Sequence, residues 1–259
     1  MCSSLFVQFL EWGIEKVSLK PPPTTEPERK LRDLVKKIVK EKIDHAVVVG
    51  SENRVLGSIN IFEIMRIILF DPLESLDSKT INYTKRNIEK MRENSSVADL
   101  LRHWKNKSLS EVCIFSRRGG TLVSSTSPLI FIYKTIGLLK DIVSPKIFKK
   151  SESLIATNTT LRGVLKRAVK YELTCFLVHR RGNILGVVDC FDILNIIAEN
   201  PEEALHYTCS SIYKKLEEVT FLNCQECRFS PVVRHENDVY VISERDIVRE
   251  ICRRYLGSV

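Results

Sequence analysis

Apolar and polar positions follow the same order in four segments of the chain. Each segment has an apolar run, a short polar turn, a second apolar run, and then apolar residues at helical spacing. The segments are His45 to Leu69, Glu111 to Tyr133, Leu173 to Ile197 and Ser230 to Cys252. Two apolar runs around a turn rich in Gly, Asn or charge are typical of a β-hairpin, and apolar spacing by three and four is typical of an amphipathic helix. The pattern therefore predicts four hairpins, each followed by a helix.

A further helix is predicted before each hairpin. These helical patterns run from Leu31 to Ile43, from Val97 to Trp104, from Thr160 to Leu173 and from Ser210 to Val219. Short extended pieces precede the first and the third of them. The repeated order is therefore β-α-β-β-α, and four such units predict an α+β protein built from one supersecondary unit.

Three of the hairpin-to-helix junctions resemble the cystathionine-beta-synthase (CBS) domain family. They are ISERDIVREI at Ile242 to Ile251, ILGVVDCFDILNII at Ile184 to Ile197 and, more loosely, LGSINIFEIMRII at Leu56 to Ile68. Four units in one chain resemble two tandem CBS pairs, called Bateman modules, as in the gamma subunit of AMP-activated protein kinase and in many archaeal and bacterial proteins. The resemblance implies pairs that pack through their sheets, with clefts that bind adenosine compounds.

The resemblance also implies a division of the chain into two pairs. The first pair spans residues 1–138, with units at about 15–73 and 80–138. The second pair spans residues 139–259, with units at about 139–199 and 205–259.

The start of the last helix in each unit is the candidate ligand site. Aligning the four junctions places a polar residue at the same position in each unit, namely Asn60, Ser124, Asp189 and Ser243. Three residues later, the aligned position holds Glu63, Ser127, Asp192 and Asp246. A Ser before a helix caps its N–H groups, and the helix start favours phosphate. A carboxylate three residues later can accept both hydroxyls of a ribose. Because only the third and fourth units have Asp at that place, we expect the second pair to be the better site.

Arginines in and near the hairpin turns are the candidate phosphate ligands. Arg180 and Arg181 lie in the third turn, Arg234 lies by the fourth, and Arg245 adjoins Asp246. A guanidinium can donate two parallel hydrogen bonds to a phosphate. The alternative is that these arginines are solvated and that the two aspartates only complement a helix dipole.

Composition and charge narrow the class of partner. Hydrophobic residues make up 44% of the chain and charged residues 28%, which is typical of a folded globular protein. The net charge of +8 favours anionic partners such as nucleotides. The basic residues are scattered, so nucleic acid is an alternative partner that the pattern favours less. Since no catalytic motif such as GxSxG, HExxH or Walker A occurs, the sequence predicts no enzyme activity.

One cysteine arrangement is a candidate metal site. His206 and Cys209, then Cys224 and Cys227, have spacings close to those of a four-ligand zinc site. The alternative, which we favour, is that the cysteines are unrelated core thiols and that the chain holds no metal.

No membrane segment or signal peptide is predicted. No apolar stretch reaches the ~18 residues needed to span a bilayer, and the N-terminus lacks a basic region before its apolar run. We therefore expect a cytoplasmic protein.

These observations predict a non-catalytic regulatory module for adenine nucleotides. AMP, ADP or ATP would bind between paired units without a required cofactor, and the bound state would be signalled to an unidentified protein partner. Self-association as a homodimer is a further expectation. The alternatives are a nucleic-acid-binding or transcription-linked protein, a ligand-free interaction scaffold, and a binder of an adenosine thioether such as S-adenosylmethionine.

Overall fold

The structure is a computed structural model that describes residues 8–107, 109–116, 120–139, 148–149, 152–218, 232–235 and 238–256. The first unit contains three strands and three helices. They are β1 (Thr24–Thr25), α1 (Leu31–Glu41), β2 (His45–Val49), β3 (Val55–Asn60), α2 (Ile61–Phe70) and the short α3 (Pro72–Asp77). Helix α3 begins at the end of the first predicted unit and extends into the segment that joins it to the second.

The second unit repeats the same order. Its elements are β4 (Glu89–Arg92), α4 (Val97–Asn106), β5 (Val112–Phe115), β6 (Leu122–Thr126) and α5 (Pro128–Leu139). In both units the first strand pairs in parallel with the second, and the second pairs antiparallel with the third. The predicted hairpins and the helices that flank them are therefore present in the first two units.

The third unit is complete, and the described part of the fourth holds its hairpin and last helix. A short strand β7 (Phe148–Lys149) precedes the third unit. The third unit comprises β8 (Leu154–Ala156), α6 (Leu161–Tyr171), β9 (Cys175–Arg180), β10 (Asn183–Asp189) and α7 (Cys190–Glu199). Strand β11 (Lys214–Lys215) leads to the fourth unit, which has β12 (Val232–His235), β13 (Asp238–Ile242) and α8 (Glu244–Tyr255).

In each pair, the segment that precedes one unit pairs with the edge of the other unit's sheet. Strand β11, which precedes the fourth unit, pairs with β10 of the third. Strand β7, which precedes the third unit, pairs with β13 of the fourth. In the first pair, Lys85 bridges to Ser58 and Leu19 bridges to Ser125. The two units of each pair therefore exchange edge segments reciprocally.

Two glycines allow these segments to approach closely. A Cβ atom at Gly57 would collide with the backbone oxygen of Lys85, and one at Gly186 would collide with the backbone oxygen of Lys214. Both glycines lie in the last strand of a hairpin, β3 and β10. The absence of a side chain at these two positions is therefore a requirement of the edge pairing.

The hydrophobic cores join one pair to the other. One buried cluster combines Leu34 and Ile64 of the first unit with Leu165 and Ile193 of the third. A second cluster combines the second unit with the fourth, through residues such as Leu101, Phe131 and Val248. The sheets thus define the pairs, whereas the helices bury their apolar faces between the pairs.

Two arginines reinforce this contact reciprocally. Arg32 on α1 donates through Nη1 to the carbonyl oxygen of Ala198 at 2.5 Å, and Arg162 on α6 donates to that of Leu69 at 2.9 Å. Both acceptors lie in the last turn of a helix, α7 or α2, where carbonyl groups lack helical partners. The first and third units therefore make equivalent bonds to each other.

Two sequence predictions are wrong. The segment from Ser210 to Val219, predicted as a helix, contains a 3-10 turn, strand β11 and a second 3-10 turn over its described residues. Ser127 was aligned with Asp246, but it directly precedes α5 and accepts a hydrogen bond from the Ile130 N–H at 3.2 Å. Ser127 therefore corresponds to Ser243, and Ile130 corresponds to Asp246.

Among the described residues, no helix combines the length and the apolar character that crossing a membrane requires.

Candidate functional site

The start of α8 contains the Ser and Asp residues that the sequence singles out. Ser243 is the N-cap residue and is buried, and Asp246 occupies the third helical position. The Asp246 carboxylate lies 3.1 Å from Nη1 of Arg249, one turn further along the helix, and 18% of its side chain is exposed. The helix start therefore presents a partly accessible carboxylate beside a cation.

Glu244, which the sequence analysis did not select, lies between these two residues. Its Oε1 accepts a hydrogen bond from Thr174 Oγ1 of the third unit at 2.9 Å. Burial raises the pKa of Glu244 to about 7, against the lowering effect of its hydrogen bonds. This carboxyl group joins the two units at the base of the helix. A glutamate at the first helical position gives no sequence signal of such burial.

Arg245 contributes to the packing between units. Its Nη1 lies 2.7 Å from Oε1 of Glu172 in the third unit, and its guanidinium lies 5.5 Å from the ring centre of Phe62 in the first. The structure thus places this predicted phosphate ligand in an ion pair and against an aromatic ring.

The start of α7 has a different charge pattern. Asp189 is the N-cap residue and accepts a hydrogen bond from the Phe191 N–H at 2.7 Å. Burial raises the pKa of Asp189 to about 7, and the charge of Asp192 acts in the same direction. Burial thus favours the protonated form of Asp189, which repels a phosphate less than a charged aspartate does.

Asp192 pairs with a lysine from the edge strand. Its Oδ2 lies 2.6 Å from Nζ of Lys214 in β11, and the two side chains are 34% and 49% exposed. A carboxylate and an ammonium group therefore lie side by side on accessible surface at a helix start. The first can accept sugar hydroxyls, and the second can donate to a phosphate. The sequence analysis missed Lys214 because it lies in the segment predicted as a helix.

The hairpin arginines lie at the other end of the third sheet. Arg180 pairs with Asn183 beside the turn, whereas Asp189 pairs with Cys175 at the helix end. The five residue steps between Cys175 and Arg180 span about 16 Å of strand. Within this unit the structure does not bring the arginines together with Asp192.

The remaining predicted phosphate ligands can be placed only in part. Arg181 is exposed in the turn with a positive φ of 52°. Arg234 lies in β12, opposite Val239.

In the first pair, buried polar contacts occupy the equivalent helix starts. At α2, Asn60 and Glu63 form a reciprocal capping box. Glu111 of the second unit accepts hydrogen bonds from Ser58 Oγ at 2.6 Å and from Asn60 Nδ2 at 3.2 Å. Burial raises the pKa of Glu63, as does the charge of Glu111. The carboxylate here is thus part of the helix cap.

At α5 the polar contacts form a continuous chain. Ser127 Oγ donates to Asp44 Oδ1 at 2.8 Å, Asp44 Oδ1 lies 2.9 Å from His45 Nδ1, and His45 Nε2 lies 2.9 Å from Ser125 Oγ. Burial alone would lower the pKa of His45, but the hydrogen bond and charge of Asp44 outweigh it and the pKa is raised. Because His45 and Ser125 are fully buried, neither the imidazole nor the serine hydroxyl of this chain of contacts is open to a substrate.

The candidate zinc ligands are only partly described. His206 ends one 3-10 turn and Cys209 begins the next. Cys209 is buried, and burial raises the pKa of its thiol to about 11. Cys224 and Cys227 lie outside the described residues. Across the described part of the chain, no three His, Cys, Asp or Glu side chains are grouped to hold a metal ion.

Comparison with known proteins supports the fold. Residues 14–70 match the model of the CBS domain family. The chain also matches the crystal structure of a Methanocaldococcus jannaschii protein proposed as an archaeal homolog of γ-AMPK, with a TM-score of 0.71 and 14% sequence identity. That match covers 92% of this chain and 99% of the archaeal chain. No curated protein matches the sequence.

Two further structures match about half of the chain. A CBS-domain containing protein from Agrobacterium tumefaciens matches with a TM-score of 0.40 and 16% identity, over 44% of this chain and 84% of its own. A conserved CBS domain protein from Thermoplasma acidophilum matches with a TM-score of 0.41 and 15% identity, over 52% of this chain and 70% of its own.

The family match over residues 14–70 and the match to the Methanocaldococcus jannaschii structure confirm the predicted resemblance and the predicted fold class. Residues 14–70 therefore resemble a CBS domain, and the fold of the chain as a whole resembles that of the Methanocaldococcus jannaschii protein.

Proposed function

We propose that the chain is a regulatory protein without catalytic activity that binds an adenine nucleotide in its second pair of units. AMP, ADP or ATP would bind at the starts of α7 and α8. The observation that carries the proposal is the difference between the four helix starts. Among the last helices of the four units, whose first turns the structure describes, only α7 and α8 have at the third position an aspartate that is partly exposed and lies beside a cation.

The chemistry of both helix starts suits a nucleotide. The carboxylates of Asp192 and Asp246 can each accept the two hydroxyls of a ribose. Lys214 beside Asp192, and the N-terminal end of each helix, favour the negative charge of a phosphate. These contacts use the sugar and the phosphate together, which favours a nucleotide over adenosine alone.

The first pair suits a structural role. Its third helical positions hold Glu63, which belongs to a capping box, and Ile130, which is buried and apolar. Opening either site would expose the buried contacts of Glu111 or Asp44 to a ligand. We therefore assign nucleotide binding to the second pair alone.

Binding at these two helix starts would act on the contact between units. Thr174 and Glu172 of the third unit contact Glu244 and Arg245, which directly precede Asp246. A nucleotide whose ribose hydroxyls donate to Asp246 would change the relative stability of these contacts. It would thereby shift the packing of the two units against each other. A protein partner that binds only one arrangement of the two units would then respond to the nucleotide concentration.

Calorimetric titration of the whole chain with AMP tests the proposal. We expect Asp246→Asn and Asp192→Asn each to weaken the affinity for AMP by about tenfold, because each removes a charged acceptor of the ribose hydroxyls. We expect 2′-deoxy-AMP to bind unmodified protein more weakly than AMP for the same reason.

Glu63→Gln in the first pair is the matched control and should leave the affinity unchanged. If AMP, ADP and ATP all fail to bind, or if both aspartate variants bind AMP as the unmodified chain does, the proposal is wrong.

A further inference from the structure

A cavity of about 610 Å³ lies between the first and second units, away from the helix starts. Its wall includes Val49, Gly50 and Asn53 at the turn of the first hairpin, and Thr121 and Leu122 at the start of β6. The helix starts lie at the opposite end of the same strands, where His45 pairs with Asn60. The volume is within the range of small-molecule sites.

Thr25 lines this cavity, and its hydroxyl group is buried without a partner among the described residues. Thr25 is 6% exposed, and its Oγ1 has no hydrogen-bond partner among the described residues. A buried polar group costs free energy unless it is hydrogen-bonded, so an unpaired one needs an explanation. A ligand atom in the cavity would supply the missing partner.

The charges around the cavity indicate the nature of that atom. Lys37 and Arg29 line the cavity, and Glu26 is the one acidic residue with them. Nζ of Lys37 donates to the carbonyl oxygen of Thr24 at 2.7 Å, which holds the ammonium group beside Thr25. An ammonium group has three donors, so this bond leaves others for a ligand. The excess of donors and positive charge favours an oxyanion.

The third unit repeats this arrangement. Thr24 of β1 pairs with Val47 of β2, and Leu154 of β8 pairs with Leu177 of β9. Each residue of the third unit therefore lies 130 positions after its counterpart in the first. The same offset relates Lys37 to Arg167 and Val49 to His179. Arg167 donates through Nη2 to the carbonyl oxygen of Glu152 at 3.2 Å, and Nδ1 of His179 is buried without a partner in the described part of the chain. In each unit a cation of the first helix thus donates to a backbone carbonyl group in or just before the first strand, and each unit holds an unsatisfied buried polar atom, on β1 in the first unit and on β9 in the third.

We propose that the cavity between the first two units binds the phosphate group of a small phosphorylated molecule. Thr25 Oγ1, Lys37 Nζ and the Arg29 guanidinium donate to the phosphate oxygens. Pro21, Pro22 and Leu122 provide the apolar wall for the remainder of the ligand. This site is independent of the nucleotide site in the second pair.

Methyl NMR titration of the whole chain tests the inference, with glycerol 3-phosphate, inorganic phosphate and glycerol as probes. We expect both phosphates, and not glycerol, to shift the methyl signals of Val49 and Leu122, while those of Ile247 beside Asp246 stay in place. Thr25→Val, which keeps the side-chain shape, and Lys37→Met should each weaken the binding of glycerol 3-phosphate about tenfold.

Lys36→Met on the exposed face of the same helix, and Asp246→Asn in the second pair, should leave this binding unchanged. If neither phosphate shifts Val49 and Leu122 at millimolar concentration, or if Thr25→Val binds glycerol 3-phosphate like the unmodified chain, the inference is overturned. Failure of AMP titration at the second pair would not affect this result, because the reporting residues differ.

Discussion

Glu244 shows how a single buried carboxyl group ties stability to pH. Burial raises its pKa from the ordinary 4.5 to about 7, so the folded chain holds this proton more tightly than the unfolded chain. The resulting stabilisation is complete below about pH 4.5 and is lost as the pH rises to 7. Burial shifts Asp189 in the same direction, and His45, whose pKa is raised by Asp44 in spite of burial, adds an effect of the same sign.

We therefore expect the free energy of unfolding to fall between pH 5 and pH 8. Glu244→Gln should reduce this fall, and should stabilise the chain at pH 8 by on the order of 1–2 kcal/mol, because glutamine resembles the protonated acid. Urea denaturation at the two pH values measures both effects. Exposed Glu217→Gln is the control, and an equal fall in both variants would contradict the assignment.

Residue types alone predicted part of the candidate site. The Ser243–Asp246 and Asp189–Asp192 pairs are visible because their spacing is local to one helix start. Lys214, Thr174 and Glu111 are not visible, because their roles depend on contacts between units. The register of Ser127 could have been found, since Pro128 is a typical first residue of a helix.

At the scale of elements, the edge segments depend on the two glycines in β3 and β10. Gly186→Ala should destabilise the chain by about 2–3 kcal/mol, because the new methyl group would meet the rigid backbone of β11 rather than a mobile side chain. Gly57→Ala should act similarly against Lys85. Chemical denaturation measures both variants.

Gly163→Ala in α6 is the matched control. The Cβ atom that it adds would lie 3.1 Å from its nearest neighbour, the side-chain methyl group of Thr159. Gly186→Ala should also weaken AMP binding, since it displaces Lys214 from Asp192. Unchanged stability in Gly186→Ala would mean that β11 does not pair with β10 in solution.

The incorrect prediction of a helix from Ser210 to Val219 has a physical explanation. Its apolar residues have helical spacing, but Ile212, Tyr213 and Leu216 pack partly buried against the core while Lys214 and Lys215 pair with β10. Tertiary contacts thus outweigh a weak local preference. The hairpins were predicted better, because each is a short-range structure with a turn of its own.

At the scale of the whole molecule, each hydrophobic core belongs to both pairs. The chain should therefore unfold as one cooperative unit in calorimetry, although the sequence divides it into two pairs. Leu165→Ala removes buried apolar volume at the contact between the first and third units, at a cost of about 2–5 kcal/mol. We expect one heat-absorption peak that moves to lower temperature by roughly 5–15 °C.

Exposed Lys40→Ala is the control and should leave the peak in place. Two separate peaks, or a variant in which only part of the transition moves, would show that the pairs unfold independently.

The reciprocal exchange of edge segments has a consequence for how such a chain can be divided or can arise. A fragment cut at the borders of one unit lacks the edge segment that completes its own sheet. It also contains the edge segment that completes the sheet of the neighbouring unit. Neither half of a pair is then closed at its edge, and exposed edges invite aggregation. The smallest piece that keeps its sheets closed at their edges is therefore two adjacent units together with the segment that precedes them, and such a piece still needs a second pair to cover its helices.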